Sequence, residues 1–338
     1  DPTIEGKSFI SFAWLTTKIT DTVDTLALCL LDSILMENDA SLLKSALQSS
    51  KLTIQADAFL DTDMSQIPYA IICRGCTPED ADALEKLLMQ TLKAIVKKGI
   101  PDKKIEDAIR QFELSRLEIS KDHGPYGLSL FMRCGLLTQH GGKPEDALKV
   151  HSLFDELKER IKEAGYLTGL IKEHFIDNRH FIRHIMTPDA ELGKTEEEAE
   201  AKQLAKIEGK LTDAQKEEIV GQALKLSKFQ EEEENIDCLP MLKSSDIPKK
   251  AVHFPLKYEG IDQLGLYHND SFTNDLTYAD IVFDLYDTPL EELHTLKLFT
   301  SIITELGSGI RNYKENLEYM QGFTGGIYAS VILNPIYD

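Results

Sequence analysis

The sequence is poor in cysteine, in basic residues and in long apolar runs. Five cysteines occur in 338 residues, an odd number too small for a disulfide framework, and this usage favours a reducing compartment over secretion. The 37 Lys and Arg stand against 57 Asp and Glu, for a net charge of −20, and such a surface repels nucleic acid and anionic lipid. No apolar run approaches the roughly 20 residues of a membrane span. We therefore expect no nucleic-acid partner and no membrane.

What the sequence does contain is typical of a globular protein with more than one domain. Hydrophobic residues make up 42% and charged residues 28%, which is sufficient for a sizeable core. The length favours two or three domains. The acidic surface would attract cationic peptides, although solubility alone also accounts for it. Because the sequence opens on "DPTIEGKSFISFAWL" and ends in an apolar run, we expect a piece of a longer protein.

Residues 1–188 have the pattern of a complete α+β domain. Alternating apolar residues and β-forming side chains predict four strands, at 7–15, 52–60, 67–75 and 178–188. Helical spacing predicts the helices between them, and one long helix is expected from Ser152 to Ile176. The order β-α-α-β-β-α-α-α-α-β is typical of a mainly antiparallel sheet with helices on one face.

Composition changes sharply over residues 189–240, which are charged, helix-prone and poor in β-forming residues. Thr212 with Gln215 predicts a capping box, and the short connection between two helical stretches predicts a long antiparallel helical hairpin. Four apolar residues are candidates for its seam, namely Leu204, Ile207, Ile219 and Leu226. A disordered linker is the alternative, which the spaced apolar residues and the cap disfavour.

Strand-like sequence resumes in 241–338 and repeats the start of the first domain. Four stretches predict strands, namely "VHFPLKYE", "LGLYHND", "TYADIVFDLYD" and "TGGIYASVIL". The third and fourth flank a helix that begins at Pro289, as the first two strands of the chain flank theirs, at an offset of roughly 270 residues. The predicted fold is therefore α+β, with one complete domain, a hairpin and a partial second α+β domain.

This arrangement resembles the pitrilysin/insulinase-type zinc metallopeptidases, and above all their presequence-protease branch. The phrases that carry the resemblance span nearly the whole chain: "KSFISFAWL…DTLALCLLDSIL", "TPEDADALEKLL", "KKIEDAIRQFELS", "YGLSLFMR", "TEEEAEAKQLAKIEGKLTDAQKEEIV" and "TNDLTYADIVFDLYDTPLEELHTLKLFTSIITELGSG". Members of the family carry four similar α+β domains in two halves, joined by such a hairpin and closing around a peptide chamber. The resemblance implies that 1–188 is the second domain, 189–240 the hairpin linker and 241–338 a truncated third domain.

The resemblance also implies that the family's chemistry lies outside this chain. Its zinc is held in the first domain by H-x-x-E-H and a more distant glutamate, and the metal activates water for peptide hydrolysis. The equivalent helix here reads "CLLDS", with Cys29 and Ser33 in the approximate register of the histidines and Asp32 in that of the base. Because H-x-x-E-H is absent, we expect this chain to be inactive alone. We predict no catalytic, cofactor-binding or metal-binding residues in it, and zinc only in the parent protein.

The most suggestive motif is "NRHFIRHIMTPD" at 178–189, where H-x-x-R-H imitates an inverted zinc signature. A zinc pair at i and i+4 needs a helix, whereas the β-branched and aromatic residues here favour a strand. On a strand His180 and His184 would point to one face about 13 Å apart, too far to share one zinc ion. A metalloenzyme that uses them with His174 or Glu173 is the outside alternative.

Other residues with chemical potential have structural explanations. Cys73 and Cys76 form a C-x-x-C at the end of an apolar run, where burial is expected more than zinc or redox chemistry. His294 lies near the start of a helix and is expected to be solvated. Ser308 lies between two glycines after a helix, so we expect a helix-ending turn and no nucleophile elbow.

Two functions are compatible with these observations. The first is the non-catalytic central segment of a presequence-protease-like zinc metalloendopeptidase that degrades unfolded peptides. This segment would form chamber wall and hinge, with peptide substrates and the remaining domains of the same chain as its partners. The alternative is a stand-alone scaffold or interaction protein built from a degenerate peptidase domain. In either case the bacterial cytoplasm and the mitochondrial matrix are the compartments expected.

Overall fold

The computed structural model describes residues 6–119, 124–232, 238–250, 253–261 and 264–332. The strands are β1 (Ser8–Lys18), β2 (Gln55–Leu60), β3 (Gln66–Cys76), β4 (Phe181–Met186), β5 (Lys257–Ile261) and β6 (Leu264–His268). The α-helices are α1 (Thr22–Met36), α2 (Leu42–Ser49), α3 (Ala81–Lys98), α4 (Asp102–Leu117), α5 (Tyr126–Gln139), α6 (Val150–Ile161), α7 (Tyr166–Ile171), α8 (Leu192–Glu208), α9 (Asp213–Glu231), α10 (Leu293–Ile302) and α11 (Tyr313–Phe323). They form two compact units, one from Asp1–Pro188 with Thr273–Asp338 and the other from Asp189–Phe272.

The first unit is built on a four-stranded antiparallel sheet in the order β2-β3-β1-β4. The central strand β1 places Ala13 opposite Ala70 of β3 and Ile182 of β4. Its alternate residues, including Ile10 and Trp14, are buried, because successive side chains of a strand point to opposite faces. Helices cover that buried face. The predicted α+β fold with an antiparallel sheet is confirmed.

Helix α1 and the sheet form most of the core of this unit. Nine of the 15 residues of α1 are buried, as is expected for a helix that is apolar nearly all round. The ring of Trp14 lies 5.3 Å from the rings of both Phe175 and Phe181, centroid to centroid. Burying each large apolar side chain contributes about 1.5–3 kcal/mol, so α1 and β1 dominate the stability of the unit.

Two predictions for the first unit are wrong. The helix expected over Ser152–Ile176 is interrupted between α6 and α7 at Gly165, which has a left-handed φ of 89°, and α7 continues into a single π-type turn. The segments 277–287 and 324–332 do not form the predicted strands. The reason is that neither pairs with a neighbouring strand in the described part of the chain, and a lone strand leaves its N–H and C=O groups unpaired.

The second unit contains α8, α9 and the antiparallel pair β5–β6. The predicted capping box is confirmed, since the Thr212 N–H donates to the Gln215 side chain at 2.9 Å and the Gln215 N–H donates to the Thr212 hydroxyl at 3.3 Å. The two strands predicted first after residue 250 are also present as β5 and β6. Two ends of predicted strands, Val252 and Leu333, lie outside the described residues.

The predicted apolar seam between α8 and α9 is wrong. The four seam residues are between 48% and 57% exposed, and neither helix contains a buried residue among those described. The two helices are joined beside their turn, where Lys216 lies 3.5 Å from Glu208. Further along, each helix keeps its apolar side chains in solvent.

Candidate functional site

Asp32 lies on α1 in the register where the resemblance places a catalytic base. Its carboxylate accepts a hydrogen bond from the buried hydroxyl of Tyr69 in β3, at 2.9 Å. Burial raises the pKa of Asp32, and the hydrogen bond from Tyr69 opposes that rise. Burial also raises the pKa of Tyr69 well above its ordinary value, and the Asp32 charge adds to this rise. Asp32 is therefore engaged inside the fold and is not a base open to a substrate.

Cys29 and Ser33 occupy the other two positions of this segment. Burial raises the pKa of the Cys29 thiol to about 11, against the opposing charge of Arg116, so the thiol stays protonated at neutral pH. The Ser33 hydroxyl donates to the Glu37 carboxylate. Zinc binds thiolate, imidazole and carboxylate ligands, and this set offers a protonated thiol, a carboxylate that already accepts a hydrogen bond and a hydroxyl. The three side chains do not fit a zinc ion.

The two histidines of the H-x-x-R-H motif lie at one edge of the sheet. His184 is exposed and pairs with Ser11 across β1, while His180 directly precedes β4 and is also exposed. Strand geometry separates two residues at this spacing by roughly 13 Å. His174 and Glu173 belong to the turn before the strand, and burial lowers the pKa of His174. Within the described ranges, no group of three His, Cys, Asp or Glu side chains could hold a metal ion.

Arg183, between these histidines, connects the sheet to the helices. Its guanidinium lies 2.5 Å from the carboxylate of Asp82 and 2.9 Å from that of Glu85, both on α3. It stands opposite Phe12, a residue of the buried face of β1, so it projects to the helical side of the sheet. The ion pair ties the edge strand β4 to α3. Sequence spacing could not reveal it, because the partners are 98 and 101 residues away.

The C-x-x-C pair lies at the end of β3, where a β-bulge changes the alternation of the strand. Gly75 adopts a left-handed φ of 73°, and the register against β1 shifts at this point. The extra residue turns both Cys73 and Cys76 to the buried side. Burial raises the pKa of Cys73 to about 12 and raises the pKa of Cys76. Buried thiols of this kind are unreactive, which is consistent with packing.

The two remaining candidates lie in the first unit after residue 273. His294 is exposed at the start of α10. Ser308 lies in a tight turn in which its N–H donates to the Arg311 carbonyl at 3.1 Å, and its carbonyl accepts a bond from the Arg311 N–H at 3.1 Å. Gly309, at φ 62°, completes the chain reversal that leads into α11. Ser308 therefore serves a turn.

Motif analysis missed the face of the sheet that the helices leave uncovered. Alternate residues of all four strands point to it, and Phe59 and Ile182 on it are 53% and 65% exposed. We name it the open sheet face, and it consists of Phe9, Ser11, Ala13, Leu15, Asp57, Phe59, Pro68, Ala70, Ile72, Arg74, Ile182, His184 and Met186. Exposed apolar surfaces of this kind mark interaction or ligand sites. The sequence signal was present in "FISFAWL", where residues of both alternations are apolar, as in strands covered on both faces.

Two family models match the chain. The model described as "Peptidase M16 inactive domain" matches residues 3–112. The model of the domain associated with the C subfamily of the M16 peptidases matches residues 186–338. Together they cover more than three quarters of the chain.

The curated relatives include presequence proteases of animals and plants. The mitochondrial presequence protease of Xenopus laevis is 26% identical over 326 residues, which are 96% of this chain and 32% of the relative. Presequence protease 1 of Arabidopsis thaliana, described as chloroplastic/mitochondrial, is 28% identical over 97% of this chain and 31% of the relative. The chain therefore spans about a third of the length of these relatives.

Solved structures with a similar chain path come from bacterial proteases. A protease from Helicobacter pylori aligns at a TM-score of 0.43 with 19% identity, over 56% of this chain and 42% of that chain. A peptidase M16 inactive domain from Pseudomonas fluorescens aligns at a TM-score of 0.36 with 15% identity, over 54% of this chain and 42% of that chain.

Proposed function

Because the chain belongs to the M16 peptidase family and contains its inactive domain, we propose that it forms wall and hinge of a peptide chamber in a larger zinc metalloendopeptidase. In this proposal 1–188 is the inactive domain, 189–240 the hairpin linker and 241–338 the truncated third domain. The zinc site and the hydrolysis of unfolded peptides are assigned to the part of the relatives that this chain does not span. The remaining domains of the same polypeptide are the partners.

The observation that carries the proposal is the open sheet face. It is flat, formed by four paired strands, and uncovered among the described residues of the first unit. The exposed side chains of Phe59, Ile182 and Met186 offer apolar contacts to any chain laid across it. An unfolded peptide has apolar side chains to bury, so a surface of this composition suits the inner wall of a chamber.

Recognition on this surface would be apolar. The carboxylate on the open sheet face, Asp57, is paired with Arg74 and lies 3.5 Å from Lys44. Arg74 in turn lies over the ring of Phe9, 5.8 Å from its centroid. The excess negative charge of the chain is therefore not displayed on this face, and attraction of basic peptides would have to arise from other surfaces.

The test uses the full-length protein with Phe59→Asp and Ile182→Asp together. Both side chains are more than half exposed, so the substitutions leave the core intact. For an unstructured peptide rich in apolar residues, we expect KM to rise about tenfold, which corresponds to about 1.4 kcal/mol of lost binding. The turnover number should change little, because the zinc chemistry is assigned to another domain.

Leu224→Asp is the matched control, because Leu224 is an exposed leucine on α9 in the second unit. This substitution should leave KM unchanged. An unchanged KM in the double variant would remove the open sheet face from the chamber wall. An equal rise in the control would attribute the effect to charge alone.

We further propose a reducing compartment. All five cysteines lie among the described residues, and none forms a disulfide. The words mitochondrial and chloroplastic/mitochondrial in the names of the Xenopus laevis and Arabidopsis thaliana relatives support the mitochondrial matrix. Protein HypA of Clostridium perfringens, 25% identical over 97% of this chain, keeps a bacterial cytoplasm open. In the described segments, no helix is both long enough and apolar enough to cross a bilayer.

A further inference from the structure

Helix α11 packs against the inactive domain across a large sequence separation. The ammonium group of Lys104 on α4 lies 2.6 Å from the carboxylate of Glu318, which is 214 residues away in the chain. Lys104 also donates to the carbonyl oxygen of Ala40 at 3.3 Å. On the other side of α11, Lys314 donates to the hydroxyl of Ser45 in α2 at 2.7 Å. One face of α11 is therefore held against α2 and α4.

Side chains of α4 bind the C-terminal end of α11. The last carbonyl groups of a helix have no partner within it. Arg110 donates to the carbonyl oxygen of Gly322, and Gln111 donates to those of Gln321 and Thr324. The positive charge of Arg110 is also favourable here, because the C-terminal end of a helix carries partial negative charge.

The reciprocal arrangement exists at the C-terminal end of α4. The carbonyl oxygen of Leu117, the last residue of α4, accepts a bond from the Asn274 side-chain amide at 2.9 Å. The hydroxyl of Tyr278 lies 3.3 Å from the carboxylate of Glu118. Each helix is thus capped by side chains from the other segment. This reciprocity distinguishes the contact from a chance approach of two surfaces.

The contact also uses a glycine. Gly322 is buried in this interface, and a Cβ atom at this position would lie 3.2 Å from both carboxylate oxygens of Asp107. That carboxylate is itself held by Arg110 at 3.5 Å and lies 3.8 Å from Lys103. A larger side chain at 322 would therefore push α11 away from α4.

We propose that Lys104, Arg110 and Gln111 form a docking site, the α4 latch, whose partner is the C-terminal end of α11 in the same chain. The latch joins 273–324 to the inactive domain without using 189–272. Its contacts are polar and partly exposed, with 48% exposure for the Arg110 side chain, which is typical of interfaces between domains that move. The inference goes beyond the proposed function and holds whether or not the protein is a peptidase.

Hydrogen exchange of the full chain tests the latch. In Arg110→Ala with Gln111→Ala, amides of α11 should exchange about tenfold faster or more, because charge-assisted hydrogen bonds that hold the helix are lost. Amides of β1 and β3 should keep their protection. Lys103→Ala is the matched control, since Lys103 lies on the same helix with a side chain 65% exposed, and α11 should be unaffected by it.

A variant on the partner side separates docking from the intrinsic stability of α11. Gly322→Leu replaces the poorest ordinary helix former by a good one, so an isolated α11 would gain protection. The latch predicts the opposite, a loss comparable with that of the α4 variant. Slower exchange of α11 in Gly322→Leu, or unchanged exchange in the α4 variant, overturns the proposal. Loss of protection in β1 and β3 as well would overturn it too, because the latch would then not be separable from the core.

Discussion

Replacing Tyr69 by phenylalanine should destabilise the inactive domain by about 1–3 kcal/mol, the cost of leaving a buried acceptor without its donor. The variant removes the hydroxyl that donates to Asp32 at 2.9 Å. It keeps the ring, whose centroid lies 5.0 Å from that of Phe175, so no cavity term is added. Urea denaturation followed by the fluorescence of Trp14, the single tryptophan, measures the change.

The deficit should depend on pH with a defined sign. The folded-state pKa of Asp32 is raised by burial, so its ionised form opposes folding at neutral pH. That opposition disappears as the pH falls through the folded-state pKa and the carboxyl group is protonated. The Tyr69 hydrogen bond lowers this pKa, and its removal raises the pKa further. The cost of Tyr69→Phe is therefore expected to be largest at neutral pH and to shrink on acidification.

Two further variants isolate the pair. In an Asp32→Asn background, Tyr69→Phe should lose its pH dependence, because the titrating group is gone. Tyr166→Phe is the matched control, since the Tyr166 hydroxyl donates to Asp24 at 3.0 Å but Arg160 also binds that carboxylate at 3.0 Å. Its cost should stay below about 1 kcal/mol, because a partner and water remain. A cost of Tyr69→Phe that is equal at every pH would refute the reasoning.

Three other substitutions or measurements test the remaining assignments. Arg183→Ala should speed amide exchange in β4 by up to about fivefold, the equivalent of about 1 kcal/mol for an exposed ion pair, and unchanged exchange there would contradict the bridge to α3. Gly75→Ala should cost more than about 1 kcal/mol, because φ is left-handed and the new Cβ would lie 2.6 Å from Ile54; an unchanged urea midpoint would argue against the bulge. The thiol of Cys73 should react with a disulfide reagent far more slowly than that of the exposed Cys238, and should speed up only as the pH approaches its pKa of about 12. Mass spectrometry of the labelled peptides distinguishes the two sites, and comparable labelling would contradict the burial.

The sequence located the strands whose pattern is local. β1, β2 and β3 begin and end within three residues of their predicted limits, because apolar alternation and turn residues are properties of short stretches. The helix predicted over 152–176 failed at Gly165, where a left-handed residue interrupts an otherwise helical pattern. The strands predicted after residue 276 failed because β-forming residues need a neighbouring strand, and propensity does not supply one.

The candidate site was predictable only where residues are close in sequence. The register of "CLLDS" singled out Cys29, Asp32 and Ser33, which do share one region of α1. The group that engages Asp32 is Tyr69, 37 residues away, and nothing in the spacing indicates it. The open sheet face was missed for the same reason. Which face of a sheet the helices cover is decided by the packing of the whole unit, and apolar residues on both faces of β1 leave that choice open.

The α4 latch changes what a hinge in this chain requires. The helices α8 and α9 have no buried residues among those described, so bending between them breaks little packing. The contacts of Lys104, Arg110 and Gln111 with α11 include charged donors, each worth about 1.5–3 kcal/mol, and all must be released before 273–324 can leave the inactive domain. Resistance to opening is therefore located in the latch and not in the stiffness of the hairpin. Flexible residues inserted into the turn at 209–212 should leave the exchange of α11 unchanged, whereas faster exchange would return that resistance to the hairpin.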